Sequence, residues 1–353
     1  MSKGTGMLRE RNKRAILSLI RKQRETTRQD LADQTGLSKN TISLIVDEFL
    51  REKIVKEKGI KPTGTKGRPK IAIAMHEDGY RAIGIGISKR TIEYAVVNYY
   101  GEVLESQVFS FVNHNPDDTK AEIMKILEYV AVSYNNILGA AIGMPGVVND
   151  EKSILYSSTH LGWKDVSFID LHTFTFPIFI QNNVNMGALN AMENAPQEMG
   201  PYTFYVSIGD GVGGTMMIDH YIVNGASGTA GEIGHIAVDP DGELCRCGQT
   251  GCLEVLINHE AMKNQHSEKG MHRSGQLLGK ALVQVIHLFN PDHLLIDSSY
   301  PMTEPFIRGC MSYMEMNALA IPFNQAHVLF SEKKFSTSTG AGLYCILQHE
   351  SNV

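Results

Sequence analysis

Ten residues, CRCGQTGCLE from Cys245 to Glu254, preceded by a GEIGH that ends at His235, constrain this chain more than any other stretch. Three thiols stand at C-x-C-x4-C spacing with an imidazole ten positions upstream. Three cysteines and one histidine form the closed, four-ligand set that suits a structural tetrahedral zinc; the other reading is reduced, metal-free thiols. Glu232 and Glu254 flank the set and are not needed by a metal. A metal-fixed loop beside two spare carboxylates implies a rigid site for a polar ligand. The same carboxylates also read as solvated surface charge.

With 353 residues, the chain is long enough for two or three domains with their own cores. No run of about 18 apolar residues predicts a membrane span. The polar, basic N-terminus lacks the apolar segment of a secretory signal, so a cytoplasmic protein is expected. Five cysteines, three of them clustered, read as metal binding in a reducing compartment rather than as a disulfide framework.

Charge is divided unevenly. Residues 1–70 hold 18 Lys and Arg against 8 Asp and Glu, a net of +10, while residues 71–353 carry a net of −15. A basic segment on an acidic body is expected where one domain meets a polyanion and the other does not. The basic segment also carries a folded pattern. Ala15, Ile16, Leu19 and Ile20 fall at helical spacing. Thr27 with Asp30 caps a short second helix whose apolar side is Leu31 and Ala32. Gly36 permits a tight turn, Leu37 fills the core, and Ser38 caps a third helix with Ile42, Ile45, Val46 and Phe49 as its buried stripe.

That order, helix, short turn, helix, reads as a helix-turn-helix, whose second helix enters the major groove, or as a helical hairpin that only packs on a partner. Arg28, Ser38, Lys39, Asn40, Thr41 and Ser43 are the candidate DNA contacts. Two alternating segments, Ile54 to Gly59 and Lys70 to His76, bracket GIKPTGTKGRPK. The loop reads as a wing with Lys66 and Arg68 poised for the backbone or a narrow minor groove, or as a plain basic linker. The boundary is placed after residue 78, giving a DNA-binding domain over 1–78 and a second domain over 79–353.

In the second domain, strands are expected over RAIGIGI, TIEYAVVN and EVLESQVFSFV, from Arg81 to Val112, followed by a helix over Ala121–Tyr134. A strand in ILGAAIGMPG, a strand PIFI and a helix in NNVNMGALNAMEN come next. A second strand run starts at Thr203. It leads to a helix over Leu277–Phe289, the strand HLLID, and a strand and helix between Ala326 and Leu347. Two sets of three strands, each followed by helices, predict a duplicated α/β plan with a cleft between two lobes.

These residues together resemble the ROK family of sugar kinases and sugar-responsive repressors, in particular its xylose-repressor branch with an N-terminal winged helix. GEIGH with CRCGQTGCLE is the most specific match; GMPG at 143–146, LGWKDV at 161–166, SIGDGVGG at 207–214 and TGAGL at 339–343 support it. The resemblance implies a winged helix-turn-helix followed by a two-lobed, actin-like (ribonuclease-H-like) α/β domain that binds sugar in its cleft. It implies a structural Zn2+ held by His235, Cys245, Cys247 and Cys252. It also implies sugar contacts from Glu232, His235, Glu254 and Asn182, with Asn183 beside them; Asn182 also reads as a helix cap. Carboxylates accept from vicinal hydroxyls, and an amide both donates and accepts.

Three departures separate this chain from the kinases it resembles. Asn183 stands where the family's Asn-Asp pair has the proton-accepting Asp, and an amide is no general base. GISKRT, Gly86 to Thr91, replaces the D-x-G-G-T phosphate loop. Gly209-Asp210-Gly211 replaces G-T-G and puts a carboxylate where phosphate oxygens approach; two like charges about 4 Å apart repel by about 4 kcal/mol at an effective dielectric of 20. No sugar kinase activity is expected. The chain reads as a transcriptional regulator, a repressor of carbohydrate-use genes. Its partners would be double-stranded operator DNA and a sugar or sugar derivative, and its assembly a homodimer or tetramer. The alternative is a repressor with a vestigial cleft, controlled by a protein partner. A kinase with an added DNA arm conflicts with all three departures.

Overall fold

The computed structural model describes residues 3–61, 70–76, 79–195, 199–219, 221–263 and 265–352. The first helix, α1 (Lys3–Gln23), buries Ile16, Leu17 and Ile20. Its apolar stripe is rotated from the expected one: Ala15 is exposed and Leu17 takes the buried place. A two-residue strand, β1 (Thr26–Thr27), leads into α2 (Arg28–Thr35). Thr27 caps α2 by accepting from the Asp30 amide, and Gly36 ends it at φ +68°, a left-handed conformation that costs glycine nothing. Ser38 then caps α3 (Lys39–Arg51) by accepting from the Thr41 amide. The four apolar residues of α3 named from sequence are all buried.

The wing is a real sheet. Strands β2 (Val55–Lys61) and β3 (Lys70–Met75) pair antiparallel, and β1 adds to the free edge of β3, giving the order β1-β3-β2. Lys66 and Arg68 lie outside the described residues. Ion pairs knit this unit together. Arg28 on α2 reaches Asp47 on α3 at 2.8 Å and Glu57 on β2 at 2.9 Å, Lys70 on β3 reaches Asp30 on α2 at 3.1 Å, and Lys13 on α1 reaches Glu48 on α3 at 2.6 Å.

The rest of the chain repeats one plan. Strands β4 (Arg81–Ile87), β5 (Thr91–Asn98) and β6 (Val103–Ser110) form the expected antiparallel meander. Helix α4 (Pro116–Ser133) follows. It begins a turn earlier than periodicity suggests, because Asn115 caps it and Pro116 suits its first turn. Strands β7 (Ile137–Met144) and β11 (Ile178–Asn182) join β4 in parallel, giving the order β11-β7-β4-β5-β6. Between them, β8 (Val147–Asn149), β9 (Ile154–Ser158) and β10 (Trp163–Ser167) make a small separate sheet absent from the sequence reading.

After α5 (Asn183–Asn194), the second sheet reproduces the same order. It comprises β12 (Tyr202–Ile208), β13 (Val212–Ile218), β14 (Tyr221–Ile222), β15 (His293–Ser298) and β16 (His327–Phe330), arranged β14-β13-β12-β15-β16. Short helices α6 (Leu253–Ile257) and α7 (His259–Met262) precede α8 (Glu268–Phe289). Helix α8 starts nine residues before the expected point, at a Ser267 cap; Gly270 and Gly275 dilute its apolar pattern in the sequence. Helix α9 (Glu304–Asn317), not anticipated, packs on α8, and α10 (Ala320–Gln325) and α11 (Thr337–Asn352) complete the chain.

One apolar core runs from Ile16, Leu17 and Ile20 of α1 into α5 and α11. At this junction Arg21 is 3% exposed and its guanidinium bonds Glu350 of α11 and Glu193 of α5, both at 2.9 Å. Beside it, His349 packs between Tyr80 and Tyr99 and shares a 3.0 Å hydrogen bond with the Tyr99 hydroxyl. Burial pushes the His349 imidazole down to about 4. An unfolded histidine titrates near ~6.5, so below that pH the unfolded chain takes up a proton that the fold refuses. Stability from this group is full above ~6.5 and is lost as pH falls toward about 4. Glu350, raised by burial with Arg21 pulling the other way, works in the opposite sense. The slope is therefore read by difference: urea midpoints measured from pH 7 to 4 should fall more steeply for the wild type than for His349→Phe, and parallel curves would refute the assignment.

Candidate functional site

The region named from sequence as zinc loop and sugar site is one folded unit. Residues Ile233–His235 make a 3-10 turn, and the chain returns through isolated bridges Ala237↔Cys252 and Leu244↔Thr250. The Cys245 amide donates to the Gln249 carbonyl at 2.8 Å, and the Gln249 side chain donates to the His235 carbonyl at 2.8 Å. This brings one atom each of His235, Cys245, Cys247 and Cys252 within 4.8 Å of one another. Cys245 Sγ stands 3.7 Å from His235 Nδ1, and Cys247 Sγ 3.6 Å from Cys252 Sγ. Ligand atoms around a tetrahedral ion with metal–sulfur bonds of ~2.3 Å are spaced by about 3.5–3.8 Å, so the set fits a metal ion.

The other nitrogen of His235 faces the opposite way. Nε2 lies 3.9 Å from the Glu232 carboxylate. Glu254, in the first turn of α6, is 6% exposed. It accepts from the Val212 amide at 3.2 Å and contacts His160 Nε2 at 3.2 Å. Burial raises the Glu254 carboxyl, but the hydrogen bond and charge of His160 and the Val212 amide outweigh it, and the net shift is downward. Glu232 goes the other way: burial dominates, and the charge of Glu254 adds to it, against His235 and His160. Two carboxyls with shifts of opposite sign share one cluster, one held as an acceptor and one closer to protonation.

His160 is the residue that sequence reasoning missed. It precedes LGWKDV, whose position in a small separate sheet no local pattern revealed. It belongs to the loop between β9 and β10, so its contact with Glu254 crosses from the first half of the domain to the second. Arg246, inside the cysteine loop, makes a second crossing by donating to the Thr159 carbonyl at 3.1 Å.

Asn182 and Asn183 stand at the β11–α5 junction. Asn182 is the α5 cap: its Oδ1 accepts from Val184 and Asn185, and its Nδ2 donates to the Gly146 carbonyl at 3.0 Å. Asn183 is the first, partly buried residue of α5. Thus Glu232, His235 and Glu254 form one cluster with His160, whereas the hydrogen bonds of Asn182 go to the GMPG turn and to its own helix.

Among the DNA candidates, Ser38 and Thr41 share a hydrogen bond at the start of α3, and Lys39 and Asn40 are exposed. Ser43 is partly buried. Arg28 is engaged by Asp47 and Glu57 rather than extended to solvent. The turn at Ser88–Thr91 is closed on itself, since Ser88 Oγ accepts from the Arg90 and Thr91 amides and Asn113 donates to the Ser88 carbonyl. At the start of α11 the Ser338 amide donates to Glu93 at 2.9 Å.

Comparison with known proteins follows this division. The ROK family model matches residues 82–344, and a model for winged helix-turn-helix DNA-binding matches residues 9–56. The xylose repressor of Bacillus spizizenii is 26% identical over 325 residues, with 84% of each chain covered. A crystal structure of a ROK family transcriptional regulator, a homologue of the Escherichia coli Mlc protein, superposes with a TM-score of 0.84 at 21% identity over 98% of this chain and 97% of that one. A ROK family glucokinase from Streptomyces griseus gives 0.64 at 17% identity, covering 76% of this chain and 98% of its own.

The tightest point of the cluster is Gly211. A Cβ there would stand 2.3 Å from His160 Nε2 and 2.8 Å from Glu254 Oε2. Gly211→Ala should push these side chains apart and break their contact, leaving a buried carboxylate short of a partner at a cost of about 1–3 kcal/mol. Urea unfolding should register the loss, and an unchanged midpoint would show that the contact carries no stability.

Proposed function

The chain belongs to the ROK family, and on that premise we propose that it is a sugar-responsive, DNA-binding transcriptional repressor whose kinase-like body transfers no phosphate. Residues 1–78 supply the DNA-binding part and 79–353 the sensing part. One observation carries the reading: the helix that starts at the GMPG turn ends on the helix that leads into the DNA reader. Asn182 caps α5 at the GMPG turn, and Glu193, near the other end of α5, holds Arg21 of α1. A sugar that draws on Asn182, Glu232, His235 and Glu254 pulls on one end of α5. The other end carries α1, and with it the recognition helix.

The proposed assembly is a two-fold dimer that presents two recognition helices to a palindromic operator, its half-sites one or more helical turns apart. Moving an operator from about 99% to 1% occupied takes a ~10⁴-fold difference in sugar affinity between the free and DNA-bound forms. Two protomers divide this into ~10² each, or about 2.7 kcal/mol per sugar. Loss of kinase chemistry rests on Asn183, on the self-closed turn at Ser88–Thr91, on Asp210, and on Glu93, which already takes the Ser338 amide at the α11 terminus.

The test uses full-length protein and an operator enriched from random-sequence duplexes. One member of a panel of pentoses, hexoses, amino sugars and their phosphates should weaken operator binding at least tenfold, with no sugar-dependent ADP release from ATP. ADP release would overturn the non-enzymatic reading. A panel without effect, on protein that binds its operator, would move control to a protein partner. In the same assay Glu193→Gln should keep sugar and operator binding and lose most of the coupling between them.

The metal is proposed to be zinc, held by His235 Nδ1 and the three thiolates. It would supply no chemistry beyond fixing the loop, while the chain's own Nε2 of His235 stays turned to Glu232. Purified protein should contain about one zinc per chain by metal analysis. Cys247→Ser should lose it together with the sugar response, and full zinc content in that variant would remove Cys247 from the set.

A further inference from the structure

Helix α3 turns by about 100° per residue. Its buried face is Ile42, Ile45, Val46 and Phe49, so the opposite face carries Asn40, Leu44, Asp47 and Arg51. Leu44 is 61% exposed and is the one large apolar side chain on that face. A single exposed leucine is ordinary on most surfaces. Here its neighbours give it a direction. Asn40, exposed, stands one turn before it, in the half of a recognition helix that meets base edges. Asp47, one turn after it, is tied sideways by Arg28, whose guanidinium also binds Glu57. That clamp offsets one of the two negative charges and turns the Asp47 carboxylate toward Arg28.

The major groove offers one apolar group, the C5-methyl of thymine. On the reading of this chain as a DNA-binding regulator, we infer that Leu44 is a specificity-determining residue that packs on a thymine methyl in each operator half-site. Four residues of helix advance about 6 Å, so that thymine lies within about two base pairs of the base that Asn40 reaches. Asn40 supplies a hydrogen-bonding reader and Leu44 a steric, apolar one. The pair selects a base combination that polar residues alone would not.

Thymine-to-uracil replacement deletes only this methyl. With the operator selected by the full-length wild type, each thymine is replaced singly by uracil and affinity is measured by fluorescence anisotropy at fixed salt. Loss of one buried methyl is worth about fourfold, and replacement in both half-sites about fifteenfold. The expected result is one methyl-sensitive thymine per half-site for the wild type. Leu44→Ala should bind thymine and uracil duplexes alike while keeping the wild-type melting temperature, and Leu44→Met should restore part of the discrimination. Uracil tolerated everywhere by the wild type, or discrimination undiminished in Leu44→Ala, overturns the inference while leaving operator binding intact. A Leu44→Ala effect on self-association alone would assign the side chain to a second copy of the chain and overturn it too. No sequence enriched by the wild type would instead bring down the DNA-binding reading itself, and this inference with it.

Discussion

Arg21 is the interaction on which the arrangement of this molecule depends. A guanidinium at 3% exposure is costly to bury alone, and this one has two carboxylates, one of them, Glu350, only 2% exposed. Removing the guanidinium would leave the Glu350 carboxylate buried without its cation, at a cost of about 3–5 kcal/mol. The three residues come from positions 21, 193 and 350, so the cluster forms only when the first helix, α5 and the last helix are all in place. Apolar burial around it, from Ile16 to Ile346, supplies the cohesion. The ion cluster supplies the angle, because its hydrogen bonds have direction and hydrophobic contact does not.

The cleft side is built on a similar economy of groups. His235 turns Nδ1 to the thiols and Nε2 to Glu232, so the ring that completes the cysteine set also lines the recess. Glu254 ends the same loop and is held by a backbone amide and by His160 from across the cleft. Loop geometry and carboxylate position are consequently not separable: a shift in one moves the other.

Much of this was legible in the sequence because the signals were local. Caps at Thr27 and Ser38, the turn at Gly36 and the apolar spacing of α3 depend on residues a few positions apart, and each is found as read. The cysteine spacing named four residues that do converge. What escaped was contact between distant segments. His160 looks like any loop histidine until the small sheet carries it to Glu254. Arg21 looks like one more charge in a basic helix, and its burial is decided by α5 and α11. Arg28, a candidate DNA contact, is held by Asp47 and Glu57, a pairing that no local pattern announces. The stripe of α1 was misplaced by one position because Leu17 is buried by elements far along the chain.

The two-residue strand Thr26–Thr27 has a mechanical meaning. It lies between α1 and α2, yet it is hydrogen-bonded into the wing sheet through β3. With the Lys13–Glu48, Arg28–Glu57 and Lys70–Asp30 bridges, it welds wing, turn and recognition helix into one plate. A plate can be tilted but not bent. Whatever displaces α1 therefore leaves the exposed face of the recognition helix unaltered and changes only where that face points, a disturbance of aim and not of shape.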